Sequence, residues 1–283
     1  FTDGLCFPVQ EKGEVCMIIA LAVIMIVLLY AIGGERGIVT FISLCFNIAV
    51  LSISIIFMSW GFDPVIVTFI SSLLICYITL FYQNGKNSKT IASFWSVALV
   101  LLILFAVTYT VGYESHIRGL STILQRESDV FGLSPDINSD MAKIAVAMII
   151  TGLIGAATDT SIAVSSAVYE VFRNNRSLDK AELFRSGMSI GGDILGTTVN
   201  TLYFAFIGES MMLFILFKNH NYSLAQIVNS KAFFQEFVNI IFSCLSCIMV
   251  IPLTALAISF ILTHPERLKK HLEEDELLSN SEV

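Results

Sequence analysis

Seven apolar runs divide the chain, at about residues 15–33, 38–58, 64–82, 91–112, 142–168, 188–217 and 237–262. Each approaches or exceeds the roughly 20 residues of helix needed to cross a hydrocarbon core. The runs are continuous rather than alternating over about ten residues, so they predict helices and not the strands of a transmembrane barrel. The expected fold class is an all-α integral membrane protein of about seven transmembrane helices. Short polar stretches separate most of them. Gly33-Gly-Glu-Arg-Gly37 is a tight turn between antiparallel neighbours, and Trp60-Gly-Phe-Asp-Pro64 is a second, with Trp60 at the interface and Pro64 opening the third helix. The one long connection is 113–141. Ile117, Leu120, Ile123 and Leu124 recur there at helical spacing beside Arg118, Gln125 and Arg126, which suits an amphipathic helix lying on the interface, with a lid over an entrance as the alternative. Ser134-Pro135-Asp136 then supplies a cap and an N1 proline.

Composition agrees with the pattern. Hydrophobic residues make up 55% of the 283 and charged residues 14%, against roughly 25% charged in soluble domains. Mean hydropathy is +0.80. The expected organisation is one membrane domain over 1–283. Within it, 15–112 is an apolar four-helix scaffold, 142–262 a three-helix part carrying the polar motifs, and 263–283 an acidic cytoplasmic tail. Placing the N-terminus outside puts Arg36, Lys86, Lys89, Arg173, Arg176, Lys180, Arg185, Arg267, Lys269 and Lys270 in the cytoplasm, ten of the sixteen basic residues. That bias predicts an outside N-terminus and a cytoplasmic C-terminus. Much of the net charge of -7 sits in Glu273-Glu-Asp-Glu276 and Glu282, a solvated end.

Cys45, Cys76, Cys244 and Cys247 fall within apolar spans and read as small packing residues. Cys6 and Cys16 fall outside, where an oxidising space permits a disulfide, although Cys16 already reaches the membrane edge. The chain opens on Phe1 rather than Met, which leaves room for a native segment before it, and no basic n-region of a signal peptide is visible.

Chemistry concentrates on two consecutive helices. Gly152, Gly155, Asp159, Ser166 and Glu170 share one face of the fifth, and Asp193, Gly196, Thr197 and Asn200 share one face of the sixth. Gly155-Ala-Ala-Thr-Asp159-Thr160 and Gly196-Thr-Thr-Val-Asn200-Thr201 repeat the form G-x-x-x-[D/N]-T. From the span midpoints, Asp159 and Asn200 each lie about 5 Å to the cytoplasmic side of centre, Asp193 about 15 Å, and Glu209 about 9 Å to the outer side. Asp193, Asp159 with Asn200, and Glu209 thus form a ladder of acceptors for a proton or cation, with Thr197 and Thr201 as neutral ligands. Gly155, Gly191, Gly192 and Gly196 are the small residues that let such helices approach. Apart from Lys143 at the very edge of the fifth run, no Lys or Arg sits within a span to bind an anion. A bond between Asp159 and Asn200 would make the pair a structural clamp instead. No catalytic set, cofactor motif or metal-ligand set is expected. His116, His220, His264 and His271 lie in loops or tail, and no H-E-x-x-H occurs.

Three stretches in order, Gly155-Ala-Ala-Thr-Asp159-Thr-Ser-Ile-Ala-Val-Ser-Ser-Ala-Val-Tyr-Glu170, Ser186-Gly-Met-Ser-Ile-Gly-Gly-Asp193-Ile-Leu-Gly-Thr-Thr-Val-Asn200-Thr-Leu and Ile251-Pro-Leu-Thr254, resemble the YibE/F-like bacterial multipass membrane family. That family commonly has Arg where Gly192 stands. The resemblance implies a multipass protein of the bacterial plasma membrane and supplies neither substrate nor catalytic role.

The leading functional expectation is a permease moving a proton, a cation or a neutral or cationic small solute along these acids, because intramembrane ionisable residues normally face a protein interior or a water path. One alternative is an accessory or scaffold subunit that docks a partner. Another is an intramembrane aspartyl protease, suggested by two aspartates on adjacent helices, Gly191-Gly192-Asp193 and Pro252-Leu253. A depth difference of about 9 Å between Asp159 and Asp193 argues against the shared proton a dyad needs. The expected partners are the lipid bilayer, a small cation or proton and a second membrane subunit, with no nucleic acid.

Overall fold

The computed structural model describes residues 9–114 and 141–263, and every regular element among them is a helix. These are α1 (Val9–Ser59), α2 (Pro64–Tyr77) continued by a π-helical turn (Ile78–Tyr82), α3 (Ser88–Glu114), α4 (Met141–Asn174), α5 (Lys180–Asn219), α6 (Leu224–Val228) and α7 (Lys231–Thr263). All but the short α6 are long and apolar enough to cross a membrane. The Cys6 and Cys16 thiols, the 113–141 amphipathic stretch with its Ser134-Pro135-Asp136 start, and the acidic tail beyond Thr263 lie outside the described residues.

The chain divides into two compact units, Phe1–Ala49 and Val50–Val283. Within the first, α1 is bent at Gly34, whose φ of 54° and ψ of -132° suit only glycine. Leu29 and Gly37 would be about 12 Å apart in a straight helix. Instead a Cβ built on Gly37 would fall 1.9 Å from the Leu29 carbonyl oxygen, so the chain folds back on itself there. The apolar run Met17–Ser59 therefore counts once among six candidate spans yet supplies two arms, matching the first two of the seven expected.

The second unit is built around α4 and α7. Ser246 Oγ donates to the Leu153 carbonyl at 3.3 Å, Cys247 Sγ meets the Ala156 carbonyl at 3.7 Å, and the Ser161 and Thr254 hydroxyls share a 2.8 Å bond. Rising residue numbers pair with rising ones, so α4 and α7 run parallel. Helix α3 runs against α4, with Ser93 bonded to Ser165 at 2.8 Å and Lys89 over the Tyr169 ring at 4.5 Å. Against α7, α5 is antiparallel, pairing Gly187 with Ala255 and Gly191 with Ile251. Two apolar clusters fill the unit. Leu80, Leu101, Leu104, Ile149, Ile150 and Leu153 belong to one, and Val164, Val168, Leu183, Ile251, Ala255 and Ile258 to the other.

Between the clusters lies a seam of fully enclosed hydroxyls, Ser93, Ser161, Ser165, Ser246 and Thr254. Lipid tails are as apolar as leucine, so close packing and such interhelical bonds hold membrane helices together, at about 0.6 kcal/mol per bond on average. Ser161→Ala should cost about 1 kcal/mol, because it orphans the buried Thr254 hydroxyl, and Thr254→Val less, because Ser161 keeps the Ser93 carbonyl at 3.4 Å. The double variant should cost less than the sum. Additive losses in a double-mutant cycle of thermal unfolding would mean the bond contributes nothing.

Two polar caps set the helix starts. The Asp63 carboxylate accepts from the Val65 amide at 3.0 Å, with Pro64 beginning α2 and Gly61 at φ +91° turning the chain into it. Lys143, at the start of α4, donates to the same carboxylate. That ammonium holds the Asp63 carboxyl below the usual carboxylate range. A depressed folded-state pKa contributes stability above about pH 4, and the contribution is lost as pH falls through the folded value. Asp63→Ala should cost about 1 kcal/mol at neutral pH and less at pH 2, where the carboxylate is increasingly protonated. An equal loss of melting temperature at both pH values would refute the ionic part.

Helix α5 starts earlier than the expected 188. Asp179 accepts from the Lys180 amide at 2.7 Å, while Glu182 accepts from the Asp179 amide at 3.0 Å, a capping box that turns residues 180–185 of the expected linker 173–185 into helix.

Candidate functional site

Helix α4 buries three of its sides. Thr158, Thr160, Ser161 and Ser165 point inward, with Thr160 Oγ1 lying 3.4 Å from Cys247 Sγ. Up to the last turn, with Arg173 and Asn174, what is exposed is a row at helical spacing, Met148, Gly155, Asp159, Ala163 and Glu170. Asp159 sits near the middle of the apolar span Lys143–Asn174.

On α5, the glycines decide which side faces in. A Cβ on Gly191 would lie 2.3 Å from Ile251 Cγ2, and one on Gly187 would lie 2.8 Å from both Ala255 Cβ and Val168 Cγ2. These two glycines press α5 onto its neighbours. Away from that contact lie Gly192, Asp193, Gly196, Thr197, Asn200 and Thr201, all exposed, whereas Glu209, also exposed, is five turns from Gly191 and returns to the α7 side. Around Gly155, Gly192 and Gly196 the space within 4 Å of a Cβ is empty. Thr197 and Thr201 donate to the carbonyls of Ile194 and Thr197, both at 2.9 Å, which leaves only their lone pairs for a ligand. Just 11% of the most apolar window of α5 is buried, against 67% for α4.

The contact of Gly187 with Val168 fixes the register between the two acid-bearing helices. Extended along straight helices, it sets Asp159 level with Gly196. Asp193 then lies about 4.5 Å to one side of that level and Asn200 about 6 Å to the other. The sequence arithmetic set Asp159 level with Asn200 and further from Asp193. The difference arises because α5 is longer than its apolar run, so its midpoint is a poor marker of depth. Among the described residues no hydrogen bond joins Asp159 to Asn200 or to Asp193. An apolar groove of about 240 Å³ between the end of α1 and α2, lined by Ile53, Phe57, Val67 and Leu74, includes none of these acids.

A family model described as YibE/F-like protein matches residues 21–264. The chain belongs to the YibE/F-like family. No curated protein and no solved structure matches it. The YibE/F-like match runs across both α4 and α5 and brings no substrate with it.

In this YibE/F-like chain α7 adds a third set of polar groups that the sequence reading passed over. Phe214 and Phe233 meet edge to face at 6.2 Å, and extended along antiparallel helices that contact sets Glu209 of α5 about level with Val238 of α7, two residues from Glu236. One turn on, Asn239 packs against Gly152, its Oδ1 only 2.6 Å from where a Cβ would stand. Glu236 falls one residue before the apolar run that hydropathy marks from about 237. A start at Lys231 would have put Glu236, Asn239 and Ser243 on one face at i, i+3 and i+7. Among the described residues no three His, Cys, Asp or Glu side chains gather closely enough to hold a metal.

Proposed function

We propose that this YibE/F-like protein is a multipass permease of the bacterial plasma membrane that moves protons or small cations along Asp193, Asp159, Asn200 and Glu209. The observation that carries this reading is the open polar row on α4 and α5. Two carboxylates near mid-span lie within about 5 Å of each other in depth, flanked by glycines with empty space above them. A carboxylate facing lipid costs about 3 kcal/mol on insertion scales, so a water-filled path is the environment that suits it. Thr197 and Thr201 offer lone pairs beside it. The proposed orientation has the N-terminus outside.

Reconstitution into liposomes tests the reading. With an imposed pH or cation gradient, vesicles holding the wild type should dissipate it faster than empty vesicles, and Asp159→Asn should abolish the difference. If the wild type leaks no faster than empty lipid under any gradient tried, the permease reading is wrong.

A second reading is favoured by the small buried share of α5. Its open face suits an accessory subunit that docks a partner helix, since glycines and polar side chains serve as glue between membrane helices. A photo-activatable cross-linking residue placed at Thr197 would then capture an intermolecular partner in native membranes, and a permease acting alone would capture none.

A further inference from the structure

The end of the bundle where α3 and α5 begin and α4 and α7 finish gathers basic side chains without matching acids. Lys89 lies over the Tyr169 ring at 4.5 Å, and Arg173 follows Tyr169 by one turn of α4, so two cations flank one aromatic ring. Lys180, at the start of α5, lies over the Phe260 ring of α7 at 4.9 Å. The Gly187 contact with Val168 sets Arg185 level with Glu170 and Lys180 about level with Asn175. These cations therefore share a layer about 9 Å deep, and Lys86 sits in the turn just before α3. Among the described residues no carboxylate lies within ion-pair distance of Lys86, Lys89, Arg173, Lys180 or Arg185. Of the acids at this end, Asp179 and Glu182 accept from the backbone amides that start α5, and Glu170 is exposed.

Depth says what faces the layer. Tyr169 is about 15 Å along α4 from Asp159, which sits near mid-span, and that is the edge of a hydrocarbon core about 30 Å thick. An aromatic face attracts an ammonium but gives it no lone pair, so Lys89 keeps its N–H donors for another acceptor. Arg173 adds a planar fork that meets phosphate oxygens two at a time. We propose that Lys89 and Arg173, on either side of the Tyr169 ring, hold the phosphate of an anionic phospholipid in the leaflet at this end of the bundle. Lys86, Lys180 and Arg185 extend the charged layer around the bundle and favour anionic over zwitterionic neighbours. In the proposed orientation this is the cytoplasmic leaflet. The lipid site goes beyond the permease reading and does not depend on it, because none of the acids assigned to the path takes part.

The detergent-purified chain should melt at a higher temperature in micelles holding phosphatidylglycerol than in micelles holding the same fraction of phosphatidylcholine, at constant ionic strength. Mass spectrometry of the intact protein–lipid complex should show phosphatidylglycerol retained in preference. Lys89→Gln combined with Arg173→Gln should weaken that retention by about tenfold or more. Lys218→Gln removes a like charge from the last turn of α5, at the opposite end, and should change nothing. The complex is detected even when only part of a variant stays folded, so a lower melting temperature does not hide the answer. Equal stabilisation by the two lipids, or full retention in the double variant, overturns the site. So does an equal shift with inorganic phosphate in place of the lipid, because the phosphate would then be bound without its acyl chains.

Discussion

Asp159→Asn should lower liposome flux by about tenfold or more, a rise of at least about 1.4 kcal/mol in the limiting barrier, while moving the melting temperature by less than about 2 °C. The amide has nearly the same shape as the carboxylate, so the exposed row on α4 keeps its form. What it loses is a negative charge and a proton that can leave. The Asp159 side chain has no hydrogen bond to another described residue, so the change breaks none. Asp193→Asn should act in the same direction, because the two carboxylates occupy neighbouring depths. Undiminished flux in Asp159→Asn would remove that carboxylate from the path. A large fall in melting temperature would instead make it a support for whatever covers that face.

Gly191→Leu should cost about 3 kcal/mol of stability and loosen α5 from α7. Even the first added carbon meets Ile251 Cγ2 at 2.3 Å, and that methyl hangs from a β-branched carbon with little freedom to swing. Ile251 is itself buried and is followed by Pro252 inside the helix, so backbone adjustment there is also confined. Gly192→Ala and Gly196→Ala are the controls. Both positions are helical with open space above them, so alanine should stabilise each by roughly 0.5–1 kcal/mol through its better helix propensity. If either control destabilises the protein as much as Gly191→Leu does, the open face of α5 is covered by another chain in the preparation.

Helix class, number and approximate position were legible because apolar runs of membrane length admit few alternatives. Pro64 opening α2 and the Trp60 turn could be read from residue chemistry alone. The early start of α5 was also written in the sequence, as Asp179 and Glu182 three apart, but the charged residues between 180 and 185 read as linker when hydropathy set the boundary. Depth along α5 was not legible for the same reason. Nor could the sequence reveal which glycines are buried. Gly191 and Gly192 are adjacent and chemically identical, and only a neighbouring helix makes one crowded and the other free. Parallel pairing of α4 with α7 depends on long-range contacts such as Ser161 with Thr254, for which neither helix carries a local signal.

That parallel pairing has a consequence for biosynthesis. Ser161 and Thr254 are separated by 93 residues, so α4 leaves the ribosome and enters the bilayer well before its partner exists. Until then Ser161 and Ser165 have only α3 and their own backbone to bond with. The nascent helix therefore waits in a half-finished state, its inner side satisfied piecemeal and open to the insertion machinery or to a chaperone. Translation stalled before α7 should leave a product that is inserted yet readily degraded, and completion of α7 should mark the point at which the chain becomes resistant.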